Sequence, residues 1–252
     1  MTISVAGLFR YPVKSLQGES LDSATLETDG LAGDRLWGLL DRNTGRILTG
    51  RRRPELLLAS AARDGDTVTI TLPGGDTVVV GEPGTDERVS DWLDGPISVV
   101  PSRGSERGRA ECFADATDDS SEAIEFTMPQ GRFVDAAHIL VLTTASLRAG
   151  AALHPDGTWD PRRFRPNVLL DVSDDGFVED EWVGKQVRIR DAVLTPLEGC
   201  IRCTMVTRPQ PGLEADRDIF RTLARHHGAR FGVWSKIDAP GGLRIGDHAE
   251  IV

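Results

Sequence analysis

Alternation governs this chain. From Thr2 the run Thr-Ile-Ser-Val-Ala-Gly-Leu-Phe alternates between apolar and small or polar positions, the period of a strand with one buried face. Further strands are expected at residues 24–27, 36–41, 47–49, 67–72, 77–80, 97–100, 168–171, 185–189, 192–197, 231–238 and 244–252, and a buried one at the continuous apolar run 139–142. Two of the turns between these runs are plain: Arg42-Asn43-Thr44-Gly45 and Pro73-Gly74-Gly75 supply residues that tolerate positive φ. Helical periodicity is confined to residues 86–93, to 146–153 begun near Thr144, and to 216–227, which ends at Gly228. Residues 55–62 sit among strands and are expected to be one. Residues 102–121 turn to Arg, Gly, Ser and Asp, which predicts a long loop. Many short strands with few helices predict a mainly β, barrel-like protein in two unequal parts, divided as 1–110 and 111–252.

The chain of 252 residues has room for such a pair, and its formal net charge is −10. That balance argues against nucleic acid as a partner, because non-specific binding rests on a basic face. The start lacks the basic and apolar blocks of a secretory signal. The longest uncharged stretch, residues 136–147, is about half the roughly 20 residues a spanning helix needs. A cytoplasmic protein with no membrane contact is expected. Three cysteines, Cys112, Cys200 and Cys203, make no disulfide framework and are too few for a four-cysteine iron–sulfur cluster.

Against the acidic background, cations gather locally, and only Lys14, Lys185 and Lys236 among the 29 are lysines. Tyr11-Pro12-Val13-Lys14-Ser15 puts a lysine and a serine where a strand ends. Gly30-Leu31-Ala32-Gly33-Asp34-Arg35 has glycines that let backbone N–H groups come close to a ligand. Asp160-Pro161-Arg162-Arg163-Phe164-Arg165-Pro166-Asn167 concentrates three guanidinium groups, whose forks suit phosphate or carboxylate, and Pro166 is expected to hold Arg165 extended. Arg51-Arg52-Arg53 is expected to be a solvated basic loop, and His226-His227 to cap a helix end. Cys200-Ile201-Arg202-Cys203 follows a strand. The sequence offers no second ligand pair to complete a zinc site, and the residues after Cys203 cannot propagate the helix of a thioredoxin-like dithiol. Two inert core thiols remain open; so does a thiolate beside Arg202, which would be a soft metal ligand next to an anion site.

Taken together, these segments resemble the MOSC family together with its N-terminal β-barrel companion. The resemblance is carried by Tyr-Pro-Val-Lys-Ser at 11–15, Gly-Asp-Arg at 33–35, Asp135-Ala-Ala-His-Ile-Leu-Val-Leu-Thr-Thr-Ala-Ser146, Arg163-Phe-Arg-Pro-Asn167 and Cys200-Ile-Arg-Cys203, in the family's order. It implies a molybdenum cofactor, a molybdopterin. Cys203 would be the catalytic cysteine and metal ligand. Lys14, Ser15, Arg35, Asp135, Arg163, Arg165, Asn167 and Arg202 would surround the pterin and its phosphate. The serine common after the aspartate in amidoxime-reducing relatives is Ala136 here, and their Asp-Pro-x-Thr-Gly is replaced by Arg208-Pro-Gln-Pro-Gly212. The implied activity is reduction of N-hydroxylated small molecules such as amidoximes. Neither a C-terminal ferredoxin domain nor a pyridoxal-phosphate desulfurase domain is expected in the chain, so electrons would come from a separate ferredoxin- or flavoprotein-type donor. A sulfur carrier that holds a cysteine persulfide, or a cofactor-binding module without turnover, are the alternative readings.

Overall fold

The computed structural model describes residues 2–102, 108–115 and 118–252. Parts of the expected loop, 103–107 and 116–117, lie outside the described residues, and its middle, Arg109–Phe113, is a strand.

Seven strands close into a barrel. In spatial order they are Val168–Val172, Ile139–Thr143, Arg230–Ala239, Ala192–Ile201, Val187–Ile189, His248–Ile251 and Ile3–Arg10, and the last pairs back onto the first. That closing ladder is antiparallel, with Ile3 opposite Val172 and Leu8 opposite Val168, and a register shift between Val5 and Gly7 lets the sheet curve. Alternation fills the interior: Ile3, Val5 and Leu8 meet Ile139, Val141, Val168, Leu170 and Val233 in one buried cluster. Ile139–Thr143 is buried along its whole length because both of its faces are covered. Leu142, on the outer face, packs with Trp159, Phe164, Phe231, Ile219 and Leu223. Helices of residues Thr85–Leu93 (α1), Thr144–Leu153 (α2), Pro161–Phe164 (α3) and Arg217–His227 (α4) complete the described elements, with short 3₁₀ turns between. Gly228 caps α4 in the left-handed conformation, and His227 bonds the Arg230 carbonyl at 2.8 Å and Asp180 at 2.7 Å.

The other part is built from a five-stranded sheet and a three-stranded sheet around a core of Leu39, Leu56, Val68, Ile70, Val89 and Ile97. The two parts interleave in sequence. Ile3–Arg10 belongs to the closed barrel, whereas Arg109–Phe113 and Ala123–Thr127 extend the five-stranded sheet. Gly241–Arg244 returns to pair with Ser23–Glu27. The sheets therefore do not divide where residues 110 and 111 meet. Residues 55–62 also differ from expectation: Pro54–Leu58 is a 3₁₀ turn and a strand starts only at Ser60. Proline fixes φ at the start of that turn, and three successive leucines give no alternation to place on a sheet. No helix among the described residues is long and apolar enough to cross a membrane.

One buried carboxylate ties α2 to the barrel. Glu179 accepts hydrogen bonds from Thr143 Oγ1 and Ser146 Oγ, each at 2.7 Å. Burial nevertheless pushes its pKa above the ordinary value of 4.5, outweighing those donated bonds. The folded state thus binds this proton more tightly than the unfolded chain does. Its stabilising contribution is complete below the unfolded pKa and is lost as pH rises through the folded one. Glu179→Gln removes that titration. The variant should gain about 1 kcal/mol over the parent at about pH 7 and nothing at about pH 4, measured by denaturant unfolding at both.

Candidate functional site

Two turns clasp each other at the end of the first barrel strand. Tyr11 N–H donates to Asp34 Oδ1 at 2.8 Å, and Arg35 N–H donates to the Tyr11 carbonyl at 2.7 Å. Phe133 N–H then donates to the Arg35 carbonyl at 2.9 Å, which brings the segment holding Asp135 alongside. Behind them lies Arg132, fully buried, whose guanidinium donates to the Leu31 and Asp34 carbonyls and pairs with Glu27 and Asp29. The glycines of this motif serve those arginines rather than a ligand. A Cβ on Gly30 would lie 2.7 Å from Arg132 Nε, and one on Gly33 would lie 2.4 Å from an Arg63 nitrogen.

The turns open onto a cavity of about 380 Å³ between the barrel and the five-stranded sheet, and eight of the nine residues expected at a site line it. Lys14 Nζ, almost wholly buried, donates to the Phe133 carbonyl at 3.2 Å and to Asp135 Oδ1 at 2.5 Å. Burial pulls the Lys14 pKa down against the pull of Asp135. Asp135, whose side chain is 68% exposed, is partly desolvated at the cavity edge, which would raise its pKa, but Lys14, Arg35 and Arg165 outweigh that and hold the carboxyl below the usual range. Arg35 pairs with Asp34, fully enclosed beneath it, and this pairing lifts the arginine's pKa although burial opposes it. Ser15 Oγ accepts from Gly50 N–H at 2.9 Å. Asn167 Oδ1 accepts from Leu140 N–H at 3.2 Å and from Arg35 at 3.4 Å.

The three arginines of residues 160–167 reach three destinations. Arg162 forms a two-pronged pair with Asp160, the N-cap of α3. Arg163, fully buried, donates from all three guanidinium nitrogens to the carbonyls of Thr158, Val206, Arg208 and Glu214, and it does not line the cavity, which corrects the expectation for it. Arg165 does line the cavity, but with φ 55° and ψ 47° it is left-handed, not extended. Pro166 forbids the right-handed helix there, and α3 ends by inverting one residue. Ser15 at φ 70° and Arg35 at φ 51° share that rare backbone, so three of the six described non-glycine residues with positive φ point into one cavity.

Both the Arg35 and Arg165 guanidinium carbons lie over the Tyr11 ring, at 4.7 and 4.2 Å from its centroid. Arg165 Nη1 donates to the Leu16 carbonyl at 2.7 Å, whereas its Nη2 is buried and has no partner among the described residues. Burial and the nearby Arg35 pull the Arg165 pKa down to about 10.

The cysteines come from both sheets: Cys200 lies in the barrel strand Ala192–Ile201, Cys203 follows it, and Cys112 lies in Arg109–Phe113. All three are free, and all three line the cavity. Burial pushes the Cys200 thiol up to about 11 and also raises Cys203 and Cys112, so the neighbouring arginines do not make thiolates of them. Arg202 spends its donors on the carbonyls of Phe231 and Phe164, which makes it an anchor for the segment and not a free cation. No group of three or more His, Cys, Asp and Glu side chains among the described residues is set to hold a metal by itself. Arg51, read from sequence as solvated, is buried in the cavity wall with Cys112 and Phe126. Its only sequence signal was the arginine run, which looks the same whether it faces solvent or a ligand. A second hollow of about 380 Å³, at Arg10, Arg190 and Arg244, contains none of the expected residues.

The two buried arginines should respond oppositely to truncation. Arg163→Met strands carbonyls of the 204–214 segment and should lower unfolding free energy by about 3 kcal/mol. Arg165→Met removes a cation already disfavoured by burial and by Arg35, and should leave stability within about 1 kcal/mol or raise it. Denaturant titration of the two variants checks both.

Residues 2–93 match the family model described as the MOSC N-terminal beta barrel domain, and residues 129–250 match the MOSC domain. The chain is 26% identical to mitochondrial amidoxime-reducing component 1 of Mus musculus, with 97% of this chain and 81% of that protein covered. It is 27% identical to the molybdenum cofactor sulfurase of Oryza sativa subsp. japonica over 82% of this chain but only 28% of that protein, so it spans under a third of the larger relative. Among solved structures, the YUAD protein from Bacillus subtilis superposes with a TM-score of 0.50 at 13% identity, covering 100% of this chain and 96% of that one, a likeness of fold alone. With both models matched in order on either side of the cavity they enclose, the chain belongs to the MOSC family.

Proposed function

We propose that the cavity binds a molybdenum–pterin cofactor and that the chain reduces N-hydroxylated small molecules, taking electrons from a separate donor protein. The observation that carries this reading is Arg165 Nη2, a buried cationic donor without a partner, in a cavity that also holds Lys14, Arg35 and Cys203. An orphaned guanidinium nitrogen beside two further cations fits an anionic group, and a thiol in the same cavity fits a soft metal. The mouse amidoxime-reducing relative, covered along most of its length, supports the same direction.

In this reading Arg165 and Arg35 take the cofactor phosphate, with the ring of Tyr11 keeping both guanidinium groups in place. Asp135 holds Lys14 Nζ at the cavity edge, where the lysine donates to the pterin, and Ser15 and Asn167 line the same side. Cys203 Sγ, as a thiolate, would be the protein's ligand to molybdenum. When bound, the group supplies two-electron redox chemistry at the metal. Leu140, Met205, Val206 and Trp234 form apolar wall that keeps water from the reacting atoms. An amidoxime then takes two electrons and two protons to give an amidine and water.

Expression in a host that makes the cofactor, followed by metal analysis and pterin fluorescence, tests the binding half. The parent should carry molybdenum near one per chain, Cys203→Ala should carry about tenfold less, and Arg165→Gln should lose pterin and metal together. Equal molybdenum in parent and Cys203→Ala would overturn the ligand assignment. Benzamidoxime reduction with a chemical electron donor tests the other half, and loaded protein inert toward every N-hydroxylated compound tried would overturn it.

Three free thiols in one cavity favour a second reading, a sulfur carrier with a persulfide on one of them. In that case incubation with a sulfane-sulfur donor such as polysulfide, which passes one zero-valent sulfur atom to the thiol and is left one sulfur shorter, should add about 32 Da per reacting thiol by mass spectrometry, and metal loading would block it.

A further inference from the structure

The segment that follows Cys203 is gripped from three directions. On its N-terminal side, Arg202 is fixed by donation to the Phe231 carbonyl through Nε at 2.8 Å and to the Phe164 carbonyl through Nη1 at 2.9 Å. From below, Arg163 Nη1 holds the Val206 and Arg208 carbonyls, each at 3.3 Å. The third grip comes from the other part of the molecule. Thr204 Oγ1 donates to both carboxylate oxygens of Asp119, at 2.7 and 2.8 Å, and Arg208 Nη2 donates to the same carboxylate. Arg51 Nε completes the set at 3.0 Å.

Asp119 lies between Arg109–Phe113 and Ala123–Thr127, the strands that extend the five-stranded sheet. Arg51 in turn donates to the Phe113 carbonyl at 3.1 Å and to that of Asp115, and its guanidinium lies over the Phe113 ring at 4.9 Å. One carboxylate, three-quarters buried as a side chain, therefore receives donors from Arg51 on one side of the cavity and from the residues around Cys203 on the other. Nothing else described joins those walls at this point through a charged group, and a charge-assisted bond is the strongest kind available to do so.

We propose that Asp119 is a positioning residue for Cys203, fixing the thiol-bearing segment through Thr204 and Arg208 and coupling its order to the N-terminal sheet. The consequence for metal binding rests on the reading of Cys203 as ligand; the ordering of the segment does not. Cys203 is the N-cap of the 3₁₀ turn Thr204–Thr207, so the side chain held by Asp119 belongs to the first residue after it. Freed of that bond, the turn keeps the long Val206 N–H to Cys203 carbonyl contact of 3.3 Å and the grip of Arg163.

Hydrogen exchange on the cofactor-free protein tests the ordering. Asp119→Ala should speed exchange across residues 204–208 about tenfold while the barrel strands exchange as before. Asp119→Asn keeps the size and one acceptor oxygen and should give a smaller change in the same place. Thr204→Val should loosen the segment too, and adding it to Asp119→Ala should bring less than the two effects combined, because both remove the same bond. Should Asp119→Ala fail to fold, the asparagine and valine variants carry the test. Unchanged exchange at 204–208 in folded variants, or a rise spread equally over the barrel, would overturn the proposal. In protein loaded with molybdenum, Asp119→Ala should bind as much metal as the parent while its Mo(V) paramagnetic resonance lines broaden. Lines as narrow as the parent's would overturn the link to metal geometry. Molybdenum absent from parent and variant alike would instead overturn the reading of Cys203, with the exchange result unaffected.

Discussion

Cations that repel one another and have lost their water define this molecule's centre. Lys14, Arg35, Arg165 and Arg202 are all largely buried in the wall of one cavity. An ion brought into such a place costs several kcal/mol unless partners replace its hydration. The partners are of three kinds. Asp34 and Asp135 supply charge, the carbonyls of Leu16, Phe133, Phe164 and Phe231 supply acceptors, and the ring of Tyr11 supplies a negative face. The compensation is incomplete at Arg165, whose Nη2 has no partner and whose pKa falls to about 10. A fold that carries this cost has to be rigid around it. The clasped turns at Tyr11 and Asp34, the buried Arg132 behind them and the left-handed backbones of Ser15, Arg35 and Arg165 supply that rigidity.

The cavity exists because two sheets face each other, and neither alone would make it. The turns after the first barrel strand contribute Lys14 and Arg35, the barrel side contributes Arg165 and the Cys200–Cys203 segment, and the five-stranded side contributes Arg51, Cys112 and Phe126. Strand ends and turns are where a barrel can place side chains without disturbing its interior, so the polar groups cluster at its rim while the core stays aliphatic.

Much of this was legible in the residues. Period-2 alternation marked strands with one buried face, such as Ile3–Arg10, and a continuous apolar run marked Ile139–Thr143, which is covered on both faces. Lys14, Arg35, Arg165 and Cys203 stood out because their neighbours form uncommon combinations of charge with proline or glycine. What escaped had no local signal. Pro166 excluded helix at Arg165, but extended and left-handed backbones both satisfy that constraint, and only packing of α3 decided between them. Arg163 and Arg165 are two residues apart in one basic run; four carbonyls capture the first and none of their geometry is written nearby. Arg109–Phe113 was hidden by the polar tract around it, since an edge region of a small sheet needs little apolar content. The interleaving of the two parts could not be read either, because alternation tells which face is buried and not which sheet a strand joins.

That interleaving bears on how the chain reaches its native state. Ile3–Arg10 is the first strand to be made, yet its ladder partners are Val168–Val172 and His248–Ile251. The closing seam must wait until nearly the whole polypeptide is available, and until then the strand can pair only at its far end, where Leu8, Phe9 and Arg10 lie opposite Leu21, Ser20 and Glu19. Contacts so distant in sequence are slow to form, because long loops must be ordered before any pairing rewards them. The core around Leu39, Leu56 and Ile70 contains no residue of that strand. Closure of the barrel, and with it the cavity, therefore depends on pairing between the first strand and strands from the far end of the sequence.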